Sequence, residues 1–350
     1  MRPILLNGHG RSITRVKYNR DGDLLFTISK DKSASVWWSD TGDRLGTFDG
    51  HNGAIWDIDV TDDSSLVVTG SGDSFAIVWN CATGEILTRL EHRGPVHCVC
   101  LAEGGKSLFT ISKTIGSGGA YELRLYELDA DLRALTPLPE EAPLEPAQII
   151  GDLPEAVCGV WMPLNLGIMV GANNGELMIF PMEGGRIVED PSAVHRVDAH
   201  KGKINKIEFN REKTLFITAS KDNTAKLFES KNLTCRKIFH TPAPINHAAI
   251  SPLFDHVMTG GGQDAKDVTT TSAQHGKFMV RFFHAIYTEE FGRVKGHFGP
   301  VNSVAFHPSG RGFASGGEDG YVRLHTFDAG YFKISADTDR DIDKAVSMLS

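Results

Sequence analysis

The chain has 350 residues, of which 41% are hydrophobic and 37 are glycine, with a formal net charge of -8 at pH 7. That is ample material for a large core, and the acidic balance argues against a protein whose main task is gripping phosphate backbones. Its five cysteines, with no CxxC pair, read as buried reduced thiols; the N-terminal MRPILLNGHGR does not read as a signal peptide, and no apolar run approaches the roughly 20 residues of a membrane helix.

In chain order, the first apolar run is ILLNGH at 4–9, followed by SITRVKY at 12–18 and LFTISKD at 25–31. The same runs return as GTFDGH, AIWDIDV and VVTGSGD between 46 and 73, and as LFTISKT at 108–114. They return again as KINKIEF at 203–209 and LFITASKD at 215–222, and finally as GRVKGH, PVNSVAF and SGGED between 292 and 319. Short Val/Ile/Phe/Thr-rich strands, four to a unit and joined by Gly/Asp/Asn turns, are the pattern of a propeller blade.

The units are in strict register. A histidine is followed 22 residues later by an aspartate in His9/Asp31, His51/Asp73, His200/Asp222 and His297/Asp319, while His92 has Thr114 at that distance. Four residues before each aspartate is a hydroxyl, Thr27, Thr69, Thr218 or Ser315, with Thr110 in the altered copy. Six residues after it is a ring, Trp37, Trp79, Phe228 or His325.

Between His92 and His200 the gap of 108 residues holds two periods and an excess. A blade without Gly-His lies there, its strands at 159–180 and Phe180 in the ring position. Another follows His240 at 245–284. The total predicted is seven blades. Insertions at 115–120, 131–146 and 264–277 read as loops, since they carry turn formers and no apolar period. The first six residues have no blade before them, so they are expected to supply the outer strand of the last one and close the ring. The expected organisation is one all-β seven-bladed propeller domain over 1–330 and a tail over 331–350. In that tail Ile342, Val346 and Leu349 have the spacing of a short amphipathic helix.

A set of His, Ser/Thr, Asp and Trp in each blade is a poor catalytic site, because catalysis needs one convergent cluster. The expected assembly is a buried chain of hydrogen bonds from Trp N–H through hydroxyl and histidine to aspartate, tying three strands together. Asp73→Ala is then expected to cost about 1–3 kcal/mol, read as a lowered melting temperature. Blades with Phe228, His325 or Thr114 should rely more on packing. A propeller enzyme would need titratable groups converging on the channel, and the sequence offers only sets distributed by blade. No catalytic residue, metal or cofactor is expected: the GSGG and GGGQ runs lack a following GK[ST], and no HxH or HxxxH occurs.

These repeats resemble the WD40 family. Longer stretches are similar to the i-subunit family of eukaryotic translation initiation factor 3: MRPILLNGHGRSITRVKYNRDGDLLFT at the start, TASKDNTAKLF at 218–228, and EEFGRVKGHFGPVNSVAFHP at 289–308. The most specific is GGGQDAKDVTTTSAQHGKF at 260–278, an insertion that an ordinary WD40 repeat lacks. The resemblance implies a non-enzymatic, cytoplasmic scaffold in the initiation factor, contacting the C-terminal helix of the b subunit and the N-terminal segment of the g subunit, and the 40S ribosomal subunit indirectly, with no direct nucleic acid and no membrane. It implies partner-binding positions at Glu212, Leu227 and Glu229, with Gln263 as a further contact. Leu227→Asp is expected to weaken b-subunit binding with the fold intact. A generic WD40 adaptor in signalling or a ubiquitin ligase is the alternative.

Overall fold

The structure is a computed structural model that describes residues 3–116, 119–128, 130–139, 144–262 and 278–333. Its strands form seven antiparallel sheets arranged as a ring. Blade one comprises Ile13–Tyr18, Leu24–Ser29, Ala34–Trp38 and Arg44–Phe48. Blade two comprises Ile55–Val60, Leu66–Ser71, Phe75–Asn80 and Ile86–Glu91. Blade three has Val96–Leu101, Ser107–Lys113, Tyr121–Glu127 and Gln148–Leu153. Blade four has Ala156–Trp161, Gly167–Ala172 and Glu176–Glu183, with an outer edge split between Arg186–Ile187 and His195–Asp198. Blade five is Ile204–Phe209, Leu215–Ser220, Thr224–Glu229 and Cys235–His240. Blade six is Ile245–Ile250, His256–Gly261, Met279–His284 and Glu290–Lys295. Blade seven is Val301–Phe306, Gly312–Gly317 and Val322–Thr326, and its outer strand is the N-terminal Ile4–Leu6, paired Ile4 to Leu324 and Leu6 to Val322. The predicted seven-bladed propeller, closed first to last, is the fold observed.

First strands line the channel, each against the next around the ring. Second strands are buried on both faces, which is why Leu66–Ser71 and Gly312–Gly317 are buried throughout rather than alternating. There is one apolar core between every adjacent pair of blades. The small residue in the second strand has a packing cause. A Cβ on Gly70, Gly171, Gly260 or Gly316 would come within 3 Å of the next blade's first strand, at Val96, Ile204, Val301 and Ile13 respectively.

Two expectations change. The 131–146 insertion is not a free loop: Ala130–Arg133 is a helical turn, Leu132 is fully buried, and Leu135, Leu138 and Leu144 pack against the core shared by blades two and three. The ring's packing also runs past residue 330. Residues 329–333 form a helical turn, Tyr331 is 6% exposed and stacks on Phe327 at 3.7 Å, and its hydroxyl meets His256 Nδ1 at 2.7 Å. The helix proposed over 342–349 and the 264–277 insertion fall outside the described residues. Among the cysteines, Cys98 and Cys158 are buried, but Cys235 is exposed at the blade-five edge.

Candidate interaction surface

The His/Asp sets are internal fasteners. In blade one Trp37 Nε1 donates to Thr27 Oγ1 at 2.8 Å, Thr27 Oγ1 lies 2.8 Å from His9 Nε2, and His9 Nδ1 is 3.1 Å from Asp31 Oδ2. Blade two repeats this with Trp79, Thr69, His51 and Asp73 at 2.8, 2.8 and 2.9 Å. A neutral histidine that takes the hydroxyl proton on Nε2 and gives Nδ1–H to the carboxylate satisfies each group. Each aspartate also accepts the N–H of the residue after the histidine, Gly10, Asn52, Lys201 or Phe298. The glycine before the histidine is explained too: a Cβ on Gly8 or Gly50 would press within 3 Å of the Trp37 or Trp79 ring.

Where the tryptophan is replaced, stacking takes over. Phe228 stacks on Phe216 at 5.1 Å beside the His200–Thr218 and His200–Asp222 contacts of 2.6 and 3.0 Å. His325 stacks on Phe313 at 4.5 Å beside His297–Ser315 and His297–Asp319 contacts of 2.9 and 3.0 Å. In blade three the Leu90 carbonyl replaces the aspartate, accepting from His92 Nδ1 at 2.9 Å, and Thr110 sits 2.8 Å from Nε2. The ring there is Tyr126, 3.4 Å from His92 Nε2, displaced from the expected position by the 115–120 insertion.

These sets make stability depend on pH. Burial alone would raise the Asp73 pKa, but the His51 ring and the Asn52 and Phe75 N–H groups outweigh it and hold it at about 2; Asp222 is held at about 2 in the same way by Thr224, Lys201 N–H and His200. Burial, reinforced by Arg124, pushes His92 down to about 3, and burial also lowers His325 to about 4. The unfolded chain therefore binds protons on these histidines below about pH 6.5 while the folded chain does not, and the carboxylates add a second loss below about pH 4. The melting temperature is expected to fall from pH 7 to pH 5, by the equivalent of up to about 1.4 kcal/mol per pH unit for each fully buried histidine. A scan that stays flat over that range would contradict neutral His92 and His325 in the fold.

The channel holds polar groups that the sequence reading did not bring together. Every first strand carries a bulge at the same place, between Ile13/Arg15, Ile55/Asp57, Val96/Cys98, Ala156/Cys158, Ile204/Lys206, Ile245/His247 and Val301/Ser303. The bulged Asn205, Asn246 and Asn302 donate to Ile245, Val301 and Ile13 carbonyls of the next blade, at 2.8, 3.2 and 2.9 Å, and Thr14 donates to Ile55 at 2.6 Å. Beyond them Arg15 pairs with Asp57 and Lys17 with Asp59. The second carboxylate oxygens reach the Val99 and Leu101 N–H groups at 3.1 and 2.8 Å. Lys206 joins Asp57 at 3.3 Å, and Glu208 meets His247 Nε2 at 2.9 Å. Titratable groups do therefore converge on the channel, contrary to expectation. Each carboxylate and cation named is engaged by its neighbours, so the cluster reads as a second set of interblade ties.

At the end of the channel where the first strands stop, the turns of all seven blades surround a concavity of about 1160 Å³. The turns differ in character. Arg20 pairs with Asp62 at 3.1 Å on the blade one–two side. On the other side Leu164 and Leu166 of blade four are 77% and 63% exposed, and Leu253 of blade six is 51% exposed. Between these apolar turns stands blade five, with Glu212 and Glu229 on the same rim.

The comparisons with known proteins agree with each other. A family model described as EIF3I matches residues 1–337. The chain belongs to the EIF3I family. Among curated relatives, eukaryotic translation initiation factor 3 subunit I of Xenopus tropicalis is 48% identical over 333 residues, covering 95% of this chain and 98% of the relative. The Rattus norvegicus protein of the same name is 46% identical over 334 residues and that of Drosophila grimshawi 45% over 335, each covering 95% of this chain.

Within this EIF3I chain the four positions singled out for partners have different surroundings. Glu212 is exposed in the blade-five turn and accepts from Asn210 Nδ2 at 3.1 Å. Glu229 is half-buried at the end of Thr224–Glu229 and holds Asn232 and Arg236. Leu227 is only 5% exposed, in the core shared by blades five and six. Its side chain is not offered to a partner, and Leu227→Asp would bury a carboxylate rather than leave the fold intact. Gln263 lies outside the described residues. The leucines at 164 and 166 were missed; an apolar PLNL turn, where every other blade but blade six, with SPLF at 251–254, has a charged or glycine-containing turn, is the signal that marks them.

Proposed function

We propose that this chain is a non-catalytic, cytoplasmic scaffold subunit of eukaryotic translation initiation factor 3. In this reading it docks the C-terminal helix of the b subunit and the N-terminal segment of the g subunit, and so supports assembly on the 40S ribosomal subunit without touching nucleic acid itself. The observation that carries the reading is the blade-five rim, where Glu212 and Glu229 stand beside a wide rigid concavity in a chain of this family. A propeller has no hinge at that place, so a partner helix meets a surface that needs no ordering on binding. Glu212 is the sharper probe, because its side chain is exposed and no core residue depends on it. Glu212→Lys is expected to weaken binding of the C-terminal segment of the b subunit more than ten-fold in calorimetry, with an unchanged melting temperature. Equal affinity for the variant would move that interface off blade five. Co-sedimentation of the intact protein with 40S initiation complexes tests the wider role.

A further inference from the structure

Leu164 is an unusual residue for its place. Its backbone has φ 56°, and Asn165 beside it φ 55°. Asparagine tolerates the left-handed region; leucine rarely adopts it, because its Cβ crowds the backbone there. A turn that also leaves the side chain 77% exposed gains no burial to offset this. The conformation is nevertheless fixed from outside. Asn165 Oδ1 accepts the Glu103 N–H and its Nδ2 donates to the Glu103 carbonyl, both at 3.0 Å, so the blade-four turn is pinned to the blade-three turn. The Glu103 carboxylate in turn pairs with Lys213 of blade five. One residue therefore locks three neighbouring turns before any partner arrives, and the locked surface presents Leu164 and Leu166.

We infer that Leu164 and Leu166 are a second, apolar seat for the partner that engages Glu212, an amphipathic helix with an apolar face and a basic edge that runs along the rim from blade five to the neighbouring blade four. This rests on the docking proposed above and extends it. The two halves are complementary within a single concavity: exposed leucines on the blade-four turn and the exposed Glu212 carboxylate on the adjacent blade-five turn line it together, and Lys213 beside Glu212 is already paired with Glu103. A strained, over-determined turn with an exposed apolar side chain is what an interface anchor requires, because its ordering is complete before binding.

The test uses the full chain, with the C-terminal segment of the b subunit as probe, in calorimetry. Leu164→Asn keeps a residue suited to the left-handed turn, so Leu164→Asn/Leu166→Ser should melt at or above the parent temperature while binding at least ten-fold more weakly. Glu212→Lys is run beside it. If both variants weaken binding, the two-part seat stands. If Glu212→Lys alone weakens it, the leucine seat is overturned and blade-five docking survives. If neither does, both readings fall. If the leucine variant alone weakens it, docking through Glu212 is overturned, and with it the two-part seat.

Discussion

Asp57→Ala is expected to destabilise the protein by about 3–5 kcal/mol, more than loss of any single blade fastener. The Asp57 side chain is 3% exposed and is shared by three groups, the Arg15 guanidinium of blade one, Lys206 of blade five and the Val99 N–H of blade three. Burial would raise its pKa, and those two cations with the N–H outweigh it and hold the carboxyl at about 2. Removing the carboxylate strands two cations in the channel and orphans a backbone N–H, whereas Asp73→Ala removes a group at the surface end of its chain. Denaturant unfolding of both variants checks the order. A cost below that of Asp73→Ala would mean that channel water screens the cations. Replacing Arg15 and Asp57 together by leucine-sized apolar residues should recover part of the loss, because the penalty lies in unpaired charge rather than in the missing attraction.

The fold was legible because its fasteners recur at a fixed interval, and the interval is the distance along the chain from the loop before a first strand to the turn after the second. Function was less legible. A second interval was present, 42 residues from Arg15 to Asp57 to Val99 and from Lys17 to Asp59 to Leu101. It carries no meaning until the bulge in each first strand turns alternate residues toward the channel. Leu227 was misread for a related reason. It lies in a third strand whose two faces both meet neighbouring blades, Leu227 in the core shared with blade six and Phe228 in the core shared with blade four, so its apolar side chain is core there, not contact surface. Blade four hid itself because it lacks Gly-His, and its ring position, Phe180, packs against blade-three residues without a polar set.

Removing residues 1–6 is expected to open the ring, with a loss of at least about 3 kcal/mol and a tendency to associate. The strand is only 3 residues long, and two of its side chains, Ile4 and Leu5, are 39% and 50% exposed. Its weight lies in Leu6, 3% exposed in a core that joins Val322 and Leu324 of blade seven to Ile13, Leu25 and Trp37 of blade one. Burial of one leucine contributes about 1.5–3 kcal/mol, and each lost ladder hydrogen bond adds about 1 kcal/mol. The deletion also bares the backbone of Val322–Thr326, an edge that another chain can pair with. Size-exclusion chromatography and thermal melting read the two consequences separately. Leu6→Ser should reproduce most of the lost stability but not the association, since it keeps the pairing with Val322. Ile4→Ser should cost less than Leu6→Ser, because Ile4 is 39% exposed where Leu6 is 3% exposed. A truncated chain that melted with the parent and remained monomeric would mean that the seam between blades one and seven is held by first-strand contacts alone, among them the Asn302 bond to Ile13 and the Ser303 hydroxyl that accepts the Val16 N–H.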